Sequence, residues 1–155
     1  MAQEFIKIDA ATAQFSKQLA LVSEKLIPEK ALQFQKLAAL QTLTGIVKKN
    51  PVGNPTKWKG GRASAPKGYV GGRSRANWQV QFLTTNNKEI DSTSNNAAAT
   101  GAAEIEGINV AFEVIWIFNN VPYIISLERG HSKQAPTGMV GLTLLEVQAG
   151  FGSII

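Results

Sequence analysis

The side chains best equipped for chemistry in this chain stand close together: Glu128, His131 and Ser132. Serine, histidine and a carboxylate are the parts of a nucleophilic triad, in which the imidazole takes the hydroxyl proton and the carboxylate orients the imidazole. Near neighbours in sequence do not normally face one another as that geometry requires. His131 therefore reads as a hydrogen-bonding residue in a turn after a helix. It is the single histidine, and cysteine is absent from the sequence. A thiolate nucleophile, a disulfide framework and a thiolate-held metal are excluded, and one imidazole is too few for a histidine cluster. The carboxylates show neither EF-hand nor paired helical-ligand spacing. Gly68-Tyr69-Val70-Gly71-Gly72 has the glycines of a phosphate-cradling loop. It lacks the Lys-Ser/Thr ending and the strand–loop–helix frame that such a loop needs. The reading is a non-enzyme without catalytic residues, cofactor or metal.

Binding chemistry is better represented. Lys and Arg number 16 against 11 Asp and Glu, a net charge of +5. Eight of the 16 basic residues fall between 48 and 75: Lys48, Lys49, Lys57, Lys59, Arg62, Lys67, Arg73 and Arg75. Between Lys30 and Lys88 there is no acid, and Trp58 and Tyr69 are interleaved. Cations with aromatics between them can hold a polyanion by charge and stacking. The same segment can be a solvated loop or can dock on a partner. Docking is favoured over DNA contact because Trp58, Tyr69 and Val70 supply apolar anchors that a surface for sliding DNA does not need. Lys57, Lys59, Arg62, Lys67, Arg73, Arg75 and Lys133 are the candidate partner- or DNA-facing residues.

These residues must be positioned by a single domain, since 155 residues suit one core. Three zones divide it. In residues 9–49, Phe15, Leu19, Val22 and Leu26 form one helical stripe, and Leu32, Ala39, Leu40, Leu43, Ile46 and Val47 form another. Asp9 suits an N-cap. An unbroken helix over this span is roughly 60 Å long, whereas a globule of this size is about 40 Å across. Either the helix bends at Pro28 or one half projects. Phe34, Leu37 and Ala38 lie opposite the second stripe. A helix apolar on two faces is covered on two faces, here either by another subunit or within its own fold. The three are the candidate subunit interface.

Residues 50–76, rich in glycine and proline, read as an extended basic loop or arm. Residues 77–155 read as β-sheet with short helices. Trp78, Val80 and Phe82 alternate with glutamines as a half-buried strand, with Trp78 anchoring the core. Residues 84–103 read as a polar loop. Phe112–Phe118 read as a central strand covered on both faces, with Ile108–Val110 beginning it or pairing beside it. Asn120 is expected to cap a short helix with Pro122 in its first turn, ending at Gly130 in a positive-φ conformation. Tyr123 is expected in the core. Val140, Leu144, Val147 and Phe151 mark a last helix. The fold class is α+β: N-terminal helices packed on a small antiparallel sheet, with a long basic loop and a short C-terminal helix. No apolar run reaches the ~18 residues of a membrane span, and the start lacks the long apolar core of a secretory signal.

Four stretches carry a resemblance: Pro51-Val52-Gly53; Pro66 to Trp78, containing Arg75-Ala76-Asn77-Trp78; Asn119-Asn120-Val121-Pro122-Tyr123; and Leu127-Glu128-Arg129-Gly130-His131-Ser132 onward to Val140. Together they are similar to the tail-completion, or neck, proteins of long-tailed bacteriophages. In that family an N-terminal helix, a Pro-Val-x-x-Gly turn, an Arg-x-x-Trp strand, an Asn-x-x-Tyr turn and a Leu-Glu-x-Gly-x-Ser motif precede a terminal helix. The resemblance covers roughly residues 30–148, and residues 54–65 are longer than the family's minimal turn.

The resemblance implies a structural virion protein at the tail neck, assembled in the host cytoplasm. Such a protein forms a homo-oligomeric ring, usually hexameric, that joins the tail tube or its terminator protein to the head-closure or connector protein. DNA passes through the lumen without sequence readout, and no membrane is involved. A tail-terminator or head-closure ring protein is the neighbouring alternative. A small nucleic-acid-binding module using the 48–75 loop is the alternative of a different class.

Overall fold

The computed structural model describes residues 10–152, with side chains over 14–151. The expected cap at Asp9 lies outside the described residues. Helix α1 (Ala10–Leu21) runs through a π-helical turn (Val22–Leu26) directly into α2 (Ile27–Lys49). Pro28 therefore does not stop the helix. A proline ring lacks an N–H and crowds the carbonyl four residues back, which here belongs to Glu24, inside the widened turn. Ile27 N–H donates to Val22 O, five residues earlier, so the chain absorbs the proline by a local change of register.

Of the two outcomes open for the long helix, the structure has projection. Phe15, Leu19, Val22 and Leu26 are all exposed, Phe15 by 63%. The second half is different. Ala39, Leu43, Ile46 and Val47 of α2 are buried with Trp78 and Val80 of strand β1 (Trp78–Phe82), Ala97 and Ile105 of helix α4 (Ala97–Gly107), and Met139. Leu43 and Met139 are wholly inaccessible.

The fold is α+β, with the long N-terminal helix packed on a two-stranded antiparallel sheet. Strand β1 pairs with β2 (Ile115–Asn119) in the register Trp78↔Asn119, Val80↔Ile117 and Phe82↔Ile115. Helix α6 (Val140–Gly152) closes the other side of α2. Two close approaches set this packing. A Cβ on Gly101 of α4 would stand 2.5 Å from Leu43 Cδ2 and 2.8 Å from Val80 Cγ2. A Cβ on Gly45 of α2 would stand 2.5 Å from Thr143 Cγ2 of α6.

The structure corrects several expectations. The 112–118 segment is not a central strand: it begins at Ile115 and belongs to a two-stranded ribbon, in which each strand is an edge. Only one face of it meets the core: Ile115 and Ile117 pack there, while Phe112 is 70% and Trp116 44% exposed. Ile108–Val110 are not a strand. Residues 97–103 are the start of α4 rather than loop, because Ala97, Ala98 and Ala99 are strong helix formers. The 50–76 segment is not extended. It holds 3-10 turns at Pro55–Lys57 and Gly61–Ser64 and the single-turn helix α3 (Arg73–Ala76). The Asn54 side chain accepts from Thr56 N–H and starts the first of these.

Asn120 does not cap the short helix α5 (Ile124–Glu128), whose N-cap is Tyr123. The Asn120 amide instead donates to the carbonyls of Asn86 (2.9 Å) and Lys88 (3.0 Å). Tyr123 is 43% exposed and is not core. Gly130 does adopt a positive φ, +80°, and a side chain there would overlap the Pro136 carbonyl.

Candidate functional site

The base of the basic segment is held by amide side chains. Asn50 Nδ2 donates to Ser74 Oγ at 2.8 Å, and Trp78 Nε1 donates to Asn50 Oδ1 at 2.8 Å. Gln134 is bonded both ways to the backbone of Val52: its Nε2 donates to the carbonyl at 2.9 Å and its Oε1 accepts from the N–H at 3.3 Å. Asn119 Nδ2 donates to Ser74 O at 2.7 Å. Asn77 bridges Arg73 O and Ile90 O, and accepts from Ile90 N–H at 2.6 Å. Asn77 and Asn50 are both buried, so these bonds satisfy groups that water cannot reach.

Above this base lies a cleft of about 600 Å³ between the basic segment and residues 123–134. Lys57, Arg73 and Lys133 line it, together with Trp58, Tyr69 and Tyr123; no carboxylate does. Trp58 and Tyr69 meet edge to face at 5.0 Å, a favourable aromatic geometry that stiffens one wall. Arg73 is ion-paired with Glu89 at 2.8 Å. Burial raises the Tyr123 hydroxyl's pKa; Arg73 opposes this, and Tyr69 and Glu89 add to it. Tyr123 is thus a neutral phenol at neutral pH.

Of the seven candidate contact residues, Lys57, Arg73 and Lys133 are brought to one cleft. Lys59, Arg62 and Lys67 stand exposed elsewhere on the segment. Arg75 turns inward: it is half-buried, and its Nε is buried with no hydrogen-bond partner among the described residues. Phe34 and Leu37 keep 47% and 44% of their surface. Phe34 is partly covered within the chain, its ring centroid 4.4 Å from that of Phe151 on α6. Ala38 lines an apolar groove of about 490 Å³ bounded by α2, β2 and α6.

Glu128 has a structural role that the sequence reading missed. Its Oε2 accepts from Met139 N–H (2.9 Å) and Val140 N–H (2.8 Å), and its Oε1 accepts from Gly141 N–H (2.9 Å). These are donors at the start of α6, where a helix has no partners of its own for them. Partial burial pushes the Glu128 pKa up, but the three N–H donors outweigh it and hold the carboxyl below its ordinary value. His131 is exposed, and its N–H donates to Ser126 O at the end of the short helix. Glu128, fully engaged in capping, is not poised as the third member of a triad. Among the described residues no three His, Cys, Asp or Glu side chains cluster as metal ligands, and no helix is long and apolar enough to cross a membrane.

No protein family, curated protein or solved structure matches the chain.

Proposed function

We propose that this chain is a structural subunit of a long-tailed bacteriophage virion. It forms a homo-oligomeric ring at the neck that joins the tail tube to the head connector, with DNA passing through the lumen. The observation that carries the reading is the apolar surface the monomer leaves bare, above all the α1 stripe from Phe15 to Leu26. In this reading the 127–140 motif is scaffold, with Glu128 fixing the start of α6. The cleft bearing Lys57, Arg73 and Lys133 is the face offered to the adjoining ring.

The test is localisation and loss. Gold-labelled antibody should mark the neck of purified particles. Disruption of the gene should leave full heads and tails that do not join. Particles that lack this chain would overturn the proposal. Steeply salt-dependent retention of DNA by the isolated protein, combined with its absence from particles, would support the nucleic-acid module instead.

A further inference from the structure

Two apolar surfaces on this chain are left bare and cannot meet within one molecule. The first is the row Phe15 and Leu19 of α1 with Val22 at the onset of the π-helical turn, at i, i+4 and i+7; Leu26, at the far end of that turn, is rotated off the row. That spacing gives the row of anchors by which a helix fills an apolar groove. The second is the groove beside Ala38, walled by Ile46 of α2, Ile115 and Ile117 of β2, and Val140 and Leu144 of α6. Leu144 is half exposed there. The far end of the groove is fixed by Gln35, whose Nε2 donates to Glu113 O while its Oε1 accepts from Phe112 N–H.

The helix cannot turn back into its own groove. The π-helical turn carries it without a break into α2, and α2 is itself one wall of that groove. A return would need the helix to break near Pro28, losing backbone bonds such as Ile27 N–H to Val22 O.

We infer that the α1 stripe of one protomer seats in the α2–β2–α6 groove of a second copy of this chain. Stripe and groove are different surfaces, so the contact is heterologous. A head-to-tail contact propagates from subunit to subunit and closes into a ring when the rotation allows. The inference deepens the ring reading and rests on it. It also assigns Ala38 to the receiving groove.

The chain has no cysteine, which makes a cross-linking test unambiguous. Leu19→Cys and Leu144→Cys are made separately, one carrying a size tag, and mixed with a short bifunctional thiol reagent. The expected product is a dimer of mixed composition, at least tenfold above that formed by either variant alone. Leu19→Cys cross-linking equally well to itself would overturn the inference in favour of helix–helix pairing. Absence of the mixed product in a sample that sediments as an oligomer would overturn it too, as would a monomer at hundreds of micromolar. Val22→Asp serves as an independent check. It should reduce self-association at least tenfold and, at a dilution where both proteins are monomeric, leave the melting temperature unchanged, because Val22 lies outside the core. An unchanged oligomer would refute the assigned contact. None of these failures touches the particle localisation, which decides the neck reading separately.

Discussion

Replacing Glu128 by alanine removes one carboxylate and leaves three backbone donors without their partner. Met139 has no accessible surface, so its N–H cannot simply turn to water, and an unsatisfied buried donor costs about 1–3 kcal/mol. Val140 is half-buried and Gly141 exposed; losing a cap at such positions costs about 0.5–2 kcal/mol. Glu128→Ala should therefore destabilise the fold by roughly 2–4 kcal/mol. For a domain of this size that is a fall in Tm of about 5–15 °C. Glu128→Gln keeps an acceptor but not the charge and should lose about half as much.

The sign of the pH dependence follows from the depressed carboxyl. Its contribution is complete above the unfolded-state value, about 4.3, and is lost as pH falls through the lower folded-state value. The gap between the wild-type protein and Glu128→Gln should thus be full at pH 7 and close under acid. Urea unfolding at a series of pH values measures both effects. A Glu128→Ala protein within 0.5 kcal/mol of wild type, or a Gln variant whose deficit ignores pH, would refute the capping argument.

Gly101→Val should destabilise by about 1–3 kcal/mol in urea unfolding, since side-chain atoms must enter space held by Leu43 and Val80; a neutral result would mean that α4 can slide. Phe34→Asp with Leu37→Asp should weaken assembly more than folding, because both side chains are nearly half exposed; melting and particle assembly measured together decide this, and equal losses would place them in the intrachain core. Lys57→Glu with Lys133→Glu should lower head–tail joining without changing the Tm, because neither lysine has a carboxylate partner among the described residues. Unchanged yield of infectious particles would return the cleft to a solvated surface.

Much of this architecture was legible in the sequence where one periodicity dominated. The Leu32–Val47 stripe marked α2, the alternation Trp78-Val80-Phe82 marked β1, and Val140-Leu144-Val147-Phe151 marked α6. Periodicity failed where apolar residues are not buried. The run before Phe118 looked like an interior strand because hydropathy reports what a side chain avoids, not whether a neighbour covers it. Helix α4 was hidden because alanine carries little hydrophobic signal and Gly101, a helix weakener, is required by contact with Leu43 and Val80. The cleft was half visible: the basic residues were named, but their convergence depends on Asn50, Gln134 and Asn119, whose amide bonds leave no pattern in the chain. One signal for Glu128 was available. Gly138 and Met139 offer no capping side chain at the start of α6, so an acceptor had to come from elsewhere.

The π-helical turn has a geometric consequence for the projecting segment. At about 100° per residue, an ordinary helix would place Phe15 at an azimuth about 80° from Leu43. A π-helical turn takes up one additional residue without the corresponding rotation. Phe15 then comes to about 180° from Leu43, so the bare stripe is phased against the core-facing one. The same residues wound as an unbroken α-helix, without the π-helical turn, would swing Phe15 by roughly a quarter turn. The direction in which this chain reaches outward is therefore set by one residue's worth of winding, taken up between Phe15 and the buried face of α2.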